Sequence, residues 1–174
     1  MARPVATPTG VERFFPDNEL IVSKTDGRGV ITYANDLFLK IADYQLSDVI
    51  NQPHNMIRNP DMPRVVFKLL WDRIQSGKEI FAYVVNNAKN GDHYWVLAHV
   101  TPSKDRTGGI VGFHSNRRVP RRDAVSTIQG IYRLLLAEER KHGGGKDALV
   151  ASEALLMKLL ADKGVDYDRF IHSL

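Results

Sequence analysis

Residues 52–63 read Gln-Pro-His-Asn-Met-Ile-Arg-Asn-Pro-Asp-Met-Pro, and residues 89–96 read Lys-Asn-Gly-Asp-His-Tyr-Trp-Val. The first stretch is rich in proline, asparagine and aspartate, which favour an ordered loop over a long regular element. The second begins with the turn formers Asn-Gly-Asp and continues into aromatic and β-branched residues, as the turn and second strand of a β-hairpin do. Residue chemistry alone therefore predicts a small α+β domain that binds a ligand.

The sequence before these stretches predicts a β-hairpin and a short helix. Strands are expected at residues 20–25 and 30–33, because the turn formers Asp-Gly-Arg-Gly occupy positions 26–29 between them. Either Asn35 or Asp36 then caps a short helix, since both side chains accept hydrogen bonds from free backbone N–H groups.

The sequence between and after the two stretches predicts one longer helix and three strands. Apolar residues recur with helical spacing from 63 to 76, and Gly77 ends that helix. Strands are then expected at residues 80–86, 93–101 and 109–116, separated by further turn-forming sequence. The chain thus carries two strands, a helical middle and three strands, in that order.

At this spacing the two stretches together resemble the PAS sensor domain of aerotaxis receptors, a family that holds FAD non-covalently. The resemblance covers residues 19–117. It implies the PAS fold, an α+β fold with a five-stranded antiparallel sheet and helices over one face, and the predicted order of elements agrees with that fold. We therefore assign residues 19–118 to a PAS sensor domain and residues 1–18 to a flexible N-terminal segment.

Residues 121–174 are predicted to form a C-terminal helical appendage. Its first helix carries an apolar stripe made of Val125, Ile128, Ile131, Tyr132 and Leu135. Three consecutive glycines at 143–145 break this helix, and a second helix is expected from 148 to 161. Such a helical hairpin has more apolar surface than two helices can hide, so it is expected to pack on the sheet or on another chain. A homodimer is the simplest arrangement that covers the surplus.

Side-chain alternation predicts that both faces of the sheet are covered. In the strand at 93–101, Tyr94 and Val96 lie on one face while Trp95 and Leu97 lie on the other. Both faces are apolar, as in sheets buried on two sides. We expect one face to meet the helical layer and any ligand, and the other to meet the C-terminal hairpin or a second subunit.

Asn86 is the polar exception on its strand face. A flavin pyrimidine edge would satisfy a buried amide there, whereas an Asn86 that begins the hairpin turn would face water. Residues 86–91 also resemble the flavin-contacting strand of light-sensing LOV domains, which places the matching asparagine at Asn86. The LOV photocycle requires a cysteine, and this chain has none. The last-strand glutamine of LOV domains aligns with His114, which either hydrogen-bonds a flavin or caps backbone groups.

The loop at 52–63 supplies further candidates. The guanidinium group of Arg58 suits phosphate oxygens, because it forms bidentate hydrogen bonds. Asp61 can orient Arg58, accept from a ribose hydroxyl or cap the next helix; alternatively, an Arg58–Asp61 ion pair only fixes the loop. The resemblance implies that this loop carries FAD-binding residues, although the histidine usual after the arginine is Asn59 here.

Trp71 lies on the core face of its helix and matches an aromatic residue beside the family's cofactor cleft. A second tryptophan common in the family is replaced by Ile80, so the pocket wall differs there. The candidate cofactor-binding residues are Asn35, His54, Arg58, Asp61, Trp71, Asn86 and His114.

Composition narrows the function further. The 174 residues include no cysteine, which excludes disulfides and thiolate metal sites and fits a reducing compartment. The net charge is +4, but the basic cluster at 117–122 lacks a reading helix or stacking aromatics; we interpret it as a solvated linker and expect no nucleic-acid partner. No run of about 18 apolar residues predicts a membrane span. Metal-binding, phosphate-loop and nucleophile motifs of common enzymes are missing.

The sequence therefore predicts a cytoplasmic, non-enzymatic PAS sensor of redox state or oxygen. It is expected to bind FAD and to signal through a partner protein or through self-association. Two alternatives remain open at this point: a PAS domain that binds haem or a small metabolite, and a ligand-free PAS scaffold for protein interaction.

Overall fold

The computed structural model of the protein describes residues 7–174. The strands are β1 (Ile21–Asp26), β2 (Ile31–Ala34), β3 (Ile80–Asn87), β4 (His93–Lys104) and β5 (Ile110–Arg118). The helices are α1 (Asp36–Ala42), α2 (Leu46–Val49), α3 (Arg64–Gln75), α4 (Arg122–Lys141), α5 (Lys146–Asp162) and α6 (Tyr167–Ser173). A single 3-10 turn (His54–Ile57) lies between α2 and α3.

The strands form one five-stranded antiparallel sheet of order β2-β1-β5-β4-β3. This confirms the predicted α+β architecture. The last strand is longer than predicted, because Arg117 and Arg118 continue the ladder with Ile21 of β1 and Leu97 of β4. The order leaves β2 and β3 at opposite edges of the sheet.

The loop at 52–63 crosses the sheet from one edge to the other. Near its start, Pro53 pairs with Val30 beside β2, and Arg58 pairs with Asn86 on the edge of β3. Ile57 and Met62 are each about 99% buried, with only 1% of their surface exposed, and anchor the loop in the core. The loop is therefore fixed by backbone pairing at two places and by its buried apolar side chains. It covers one face of the sheet.

The C-terminal helices cover the opposite face. The Tyr132 hydroxyl of α4 donates to the Tyr83 carbonyl (2.6 Å), and the Tyr167 hydroxyl of α6 donates to the Phe81 carbonyl (3.0 Å). The Tyr132 ring also stacks on Trp95, with 6.2 Å between centroids. The predicted packing of the appendage on the sheet is therefore observed within one chain.

This packing buries the apolar stripe of α4, which was the basis for predicting self-association. Of the predicted stripe, Val125, Ile128, Tyr132 and Leu135 are buried in α4, and Ile131 is half-buried. The chain thus hides the surface from which a homodimer was inferred, so that surface no longer supports one. The homodimer stays a prediction.

The N-terminal segment is attached to the β3–β4 hairpin. Residues 1–6 of the predicted flexible segment lie outside the described residues. Further along, the Arg13 amide donates to the His93 carbonyl (2.7 Å), and the His93 amide donates to the Val11 carbonyl (2.9 Å). The Arg13 guanidinium also pairs with Asp92 at 2.8 Å. Because of these bonds, residues 9–13 lie along the start of β4.

Candidate ligand cavity

A cavity lies between the sheet, the crossing loop and α3; we call it the ligand cavity. Its volume is about 200 Å³. The sheet contributes residues of one face only, among them Val84, Asn86 and Ala98. Alternation along β3 places Val84 and Asn86 on one face, and the pairing of β3 with β4 brings Ala98 to the same face. The C-terminal helices lie on the other side. The polar residues that line the cavity include Ser23, Thr25, Arg28, His54, Asn55, Arg58, Asn86, Ser115 and Arg117.

Helix α3 forms the apolar wall of the cavity through Phe67, Leu70 and Trp71. The Trp71 ring meets Phe113 of β5 edge-on, with centroids 5.5 Å apart. Gly29 of the β1–β2 turn lies under the same indole with φ +83°, and a Cβ atom there would come within 3.0 Å of a ring carbon. A glycine at position 29 therefore lets the turn approach Trp71 and close one end of the cavity.

Several buried polar atoms around the cavity have no hydrogen-bond partner among the described residues. They are Asn86 Nδ2, Ser115 Oγ and Arg117 Nη1, and all three residues line the cavity. Asn86 is 4% exposed and Arg117 is 3% exposed, so water does not satisfy them freely. An unsatisfied buried donor costs about 1–3 kcal/mol, and native proteins contain few of them. Three residues that line the cavity thus carry hydrogen-bonding groups that the protein leaves unused.

Arg117 is a buried cation, and among residues 7–174 no carboxylate pairs with it. Its Nη2 atom donates to Ser23 Oγ (2.9 Å) and to His54 Nε2 (2.6 Å), while Nη1 is unpaired. Burial lowers the pKa of Arg117 to about 10, which leaves the group charged at neutral pH. The cavity wall therefore carries an unneutralised positive charge.

His54 is held in its neutral form. A guanidinium group only donates, so His54 Nε2 must accept from Arg117 and the ring proton is on Nδ1. Burial and then the charge of Arg117 lower the pKa of His54 to about 3. His54 is half-buried and lines the cavity.

Arg58 lies half-buried at the cavity with its guanidinium carbon 4.4 Å from the centre of the Phe67 ring. Burial and then the nearby charge of Arg64 lower the pKa of Arg58, while Glu139 opposes this shift. Among residues 7–174 no carboxylate lies within ion-pair distance of Arg58, so the alternative of an Arg58–Asp61 pair is wrong. Its guanidinium is available to an anion.

Asp61 lies away from the ligand cavity. It is exposed and borders a second cavity, of about 600 Å³, between the other sheet face and α4. It does not cap α3 either: Pro63 is the N-cap residue, and the first amides of the helix donate to Glu139 of α4. The option that Asp61 caps α3 is therefore wrong, because the Glu139 carboxylate, distant in sequence, accepts the hydrogen bonds of the first amides of the helix.

Two further candidates also lie outside the ligand cavity. The Asn35 side chain accepts from the Phe38 and Val22 amides and donates to the Leu20 carbonyl, so it caps α1 and ties it to β1. His114 lies on the opposite sheet face from Ser115 and contacts Asn116 Oδ1 (3.0 Å). Neither lines the cavity, whereas His54, Arg58, Trp71 and Asn86 do.

Sequence reasoning missed Ser115 and Arg117. Arg117 was assigned to a solvated basic linker, but only Arg118, Arg121 and Arg122 of that cluster are exposed. The available signal was alternation along the last strand, in which Phe113, Ser115 and Arg117 share a face. The expected end of the strand at residue 116 placed Arg117 outside it.

A five-stranded antiparallel sheet with a cavity between one face and its helices is the architecture of PAS domains. The model of the PAS fold family matches residues 31–117, and the chain belongs to that family. Among the described residues no helix has the length and apolarity needed to cross a bilayer, and no cluster of three acidic or histidine side chains forms a metal site.

The similar proteins are sensory and regulatory. Over 146 residues the chain is 37% identical to the aerotaxis receptor of Escherichia coli (strain K12). The matched region covers 82% of this chain and 28% of the receptor. Over 97 residues it is 27% identical to the nitrogen fixation regulatory protein of Klebsiella pneumoniae, covering 56% of this chain and 20% of that protein. The chain thus spans less than a third of either relative.

Solved structures with the same fold include LOV domains. One, a light-oxygen-voltage domain studied with a flavin analogue, has a TM-score of 0.56 at 18% identity and covers 63% of this chain and 82% of its own. The light state of the Aureochrome1 LOV domain gives 0.54 at 23% identity, covering 69% of this chain and 91% of its own. These identities establish the fold alone.

Proposed function

We propose that the protein binds FAD non-covalently in the ligand cavity and acts as a sensor of redox state or oxygen. The observation that carries this proposal is the set of unsatisfied buried donors, Asn86 Nδ2, Ser115 Oγ and Arg117 Nη1. A flavin pyrimidine ring presents carbonyl oxygens and ring nitrogens that accept hydrogen bonds. These acceptors match the donors, and the apolar wall formed by Trp71 and Phe67 suits the rest of a planar ring system.

The size of the cavity assigns different parts of the cofactor to different residues. A volume of about 200 Å³ is below the range of about 300–1,000 Å³ of typical ligand pockets, so the cavity accommodates a ring system rather than a whole dinucleotide. The phosphates then lie outside it. Arg58 is half-buried, borders the cavity and has no ion-pair partner among residues 7–174, so it is the residue we assign to a phosphate.

A bound flavin supplies a redox couple whose reduced form differs in charge and in hydrogen-bonding pattern. Asn86 can present either its amide nitrogen or its amide oxygen to a ligand, so it can respond to a changed pattern. Arg117 keeps a fixed positive charge against the cavity and therefore favours ligand states with more negative charge. A ligand-dependent change at these two side chains is the signal we propose.

Of the alternatives, haem has little support from the residues around the cavity. His54 is the histidine that lines it, and its Nε2 already accepts from Arg117. Since that nitrogen is engaged, His54 is a poor axial ligand. Cytoplasmic location, a signalling partner and the absence of enzymatic activity belong to the same proposal.

The test is the cofactor content of the purified full-length protein. We expect a yellow protein that releases FAD on denaturation, identified by chromatography of the supernatant. Arg58→Ala should lower FAD content, whereas Arg106→Ala, in the exposed β4–β5 turn, should not. Colourless protein that takes up no added FAD would overturn the proposal, and a red protein would favour haem. FMN in place of FAD would still offer Arg58 one phosphate, and it would correct the identity of the cofactor.

A further inference from the structure

Helix α3 contacts the ligand cavity on one side and the C-terminal helices on another. Phe67, Leu70 and Trp71 face the cavity. On the other side, the Lys68 ammonium pairs with Glu153 of α5 at 3.0 Å, and the Arg64 guanidinium donates to the Gly144 carbonyl between α4 and α5. The first half of the helix that walls the cavity is therefore attached to the hairpin of α4 and α5.

The strongest of these attachments is Glu139. This carboxylate of α4 is only 5% exposed, and it accepts from the Arg64 amide, the Val65 amide and the Ser152 hydroxyl, each at 3.1 Å. The first amides of a helix have no partner within it, and Pro63 at the N-cap offers no side-chain acceptor. A negative charge at a helix N-terminus is also favoured by the aligned peptide dipoles.

The Glu139 carboxylate also affects the pKa of Arg58, the residue that we assign to a phosphate of the cofactor. Arg58 precedes α3 by a short segment, and Glu139 and Arg64 both influence its ionisation. Asp61, which lies in that segment, makes no ion pair with Arg58. Of these two charges, Arg64 of α3 has the larger effect on Arg58, and Glu139 of the hairpin supplies the negative charge that opposes it.

We infer that Glu139 is a positioning residue of the ligand cavity, which makes the hairpin of α4 and α5 a part of the site. By fixing the N-terminus of α3, it sets the place of the cavity wall and of Arg58. Ligand binding and hairpin docking are then coupled, and the coupling acts in both directions. The identity of the ligand rests on the proposed function; the attachment of α3 to the hairpin does not.

The matched variants are Glu139→Gln and Glu138→Gln in the full-length protein. Glu138 is the preceding residue on α4, and within residues 7–174 its side chain accepts hydrogen bonds only from Lys141 and His142 of its own segment. Titration with FAD should show affinity about tenfold weaker for Glu139→Gln, within the usual range of coupling between sites, and unchanged for Glu138→Gln. Ser152→Ala, which removes one donor to the same carboxylate, should shift affinity in the same direction by less and serves if Glu139→Gln does not fold.

Hydrogen exchange separates a positioning role from a merely structural one. In the wild type, added FAD should slow amide exchange both at the start of α3 and in residues 136–153 of the hairpin. In Glu139→Gln, FAD should still protect the start of α3 but no longer the hairpin. A wild-type protein that binds FAD without any change in the hairpin, or a Glu139→Gln protein that retains the change, would overturn the inference.

The two proposals fail in different ways. If the wild type takes up no FAD, the proposed function is wrong, and the inference is then judged on the ligand-free protein. There, Glu139→Gln should speed exchange at the amides of Arg64 and Val65 while Glu138→Gln leaves them unchanged. Equal exchange in the two variants would refute the attachment independently of any cofactor.

Discussion

We expect Arg117 to contribute little to the stability of the fold and much to the binding of a ligand. Its burial without a carboxylate partner is unfavourable, and only part of the cost is recovered through Ser23 and His54. Arg117→Met removes the charge together with about two hydrogen bonds worth roughly 0.5–1.5 kcal/mol each, so we expect the free energy of unfolding to change by no more than about 3 kcal/mol. The same change should abolish retention of flavin.

The control for this prediction is the next residue. Arg118→Met replaces an exposed arginine on the opposite sheet face, so flavin content should stay at the wild-type level. Absorbance of bound flavin, measured beside chemical denaturation, reports both quantities. Full flavin occupancy in Arg117→Met would contradict the role given to this charge.

His54 should make stability depend on pH. Its pKa is about 3 in the folded protein and 6.5 in its ordinary state, so the unfolded chain binds the extra proton first as pH falls. The stabilisation is complete above pH 6.5 and is lost progressively as the pH falls from 6.5 towards 3, with a slope of at most about 1.4 kcal/mol per pH unit.

The measurement is the free energy of unfolding at pH 7 and pH 5, in the wild type and in His54→Gln. At these values most carboxylates remain ionised, so the difference between the two proteins isolates His54. The slope should be smaller in His54→Gln. Parallel profiles would show that His54 is protonated as easily in the fold as in the unfolded chain.

At the scale of elements, helical spacing and strand alternation in the sequence predicted the features that depend on residues near one another in the chain. The spacing of Phe67, Leu70, Trp71 and Ile74 identified α3, since a helix places these residues on one side. Alternation likewise separated Val84 and Asn86 from the face that binds α4. The N-terminal cap of α3 was not predictable, because Glu139 lies 74 residues beyond Val65 and no local rule connects them.

The turn between β1 and β2 offers a test of the cavity wall. In Gly29→Ala, the new methyl group would meet the Trp71 ring at 3.0 Å from a backbone with φ +83°. The left-handed backbone alone costs about 1–2 kcal/mol, and the displaced indole should enter the cavity and lower flavin affinity. Gly27→Ala is the control in the same turn, since nothing lies within 4 Å of its Cβ position.

Thermal unfolding and flavin titration of the two glycine variants give the answer. We expect Gly29→Ala to lose both stability and affinity, and Gly27→Ala to keep both. A Gly29→Ala protein with unchanged affinity would show that Trp71 does not set the shape of the cavity.

At the scale of the molecule, one face of the sheet lines the ligand cavity and the other packs against the C-terminal helices. Alternation within β3 and β4 predicted this division, because both strands were placed correctly by their hairpin turn. The candidate site was predicted less completely: the register and length of β5 depend on pairing with β1 and β4, and this pairing turns Ser115 and Arg117 inward and His114 outward. Pairing between distant strands leaves little trace in the local sequence.

The predicted self-association requires a different surface from the one that the sequence suggested. The stripe on α4 is buried, but Leu134, Val150 and Met157 of the hairpin are 53%, 58% and 61% exposed. Because each of these side chains is already close to half-buried, burying the rest stabilises an interface by about half of the roughly 1.5–3 kcal/mol of a full burial, and two-fold pairing doubles each contact. We predict a homodimer that forms through these residues of the hairpin.

Light scattering of the eluting full-length protein over a range of concentrations tests the homodimer. Val150→Lys combined with Met157→Lys should give a monomer, because two charges in an apolar interface are unfavourable, while the fold should be retained since both positions are exposed. Leu46→Lys, on α2 and 50% exposed, is the matched control and should leave the dimer intact. A wild-type protein that stays monomeric at every concentration, or a double variant that stays dimeric, would contradict this interface, and the output would then have to pass from the hairpin to a different protein.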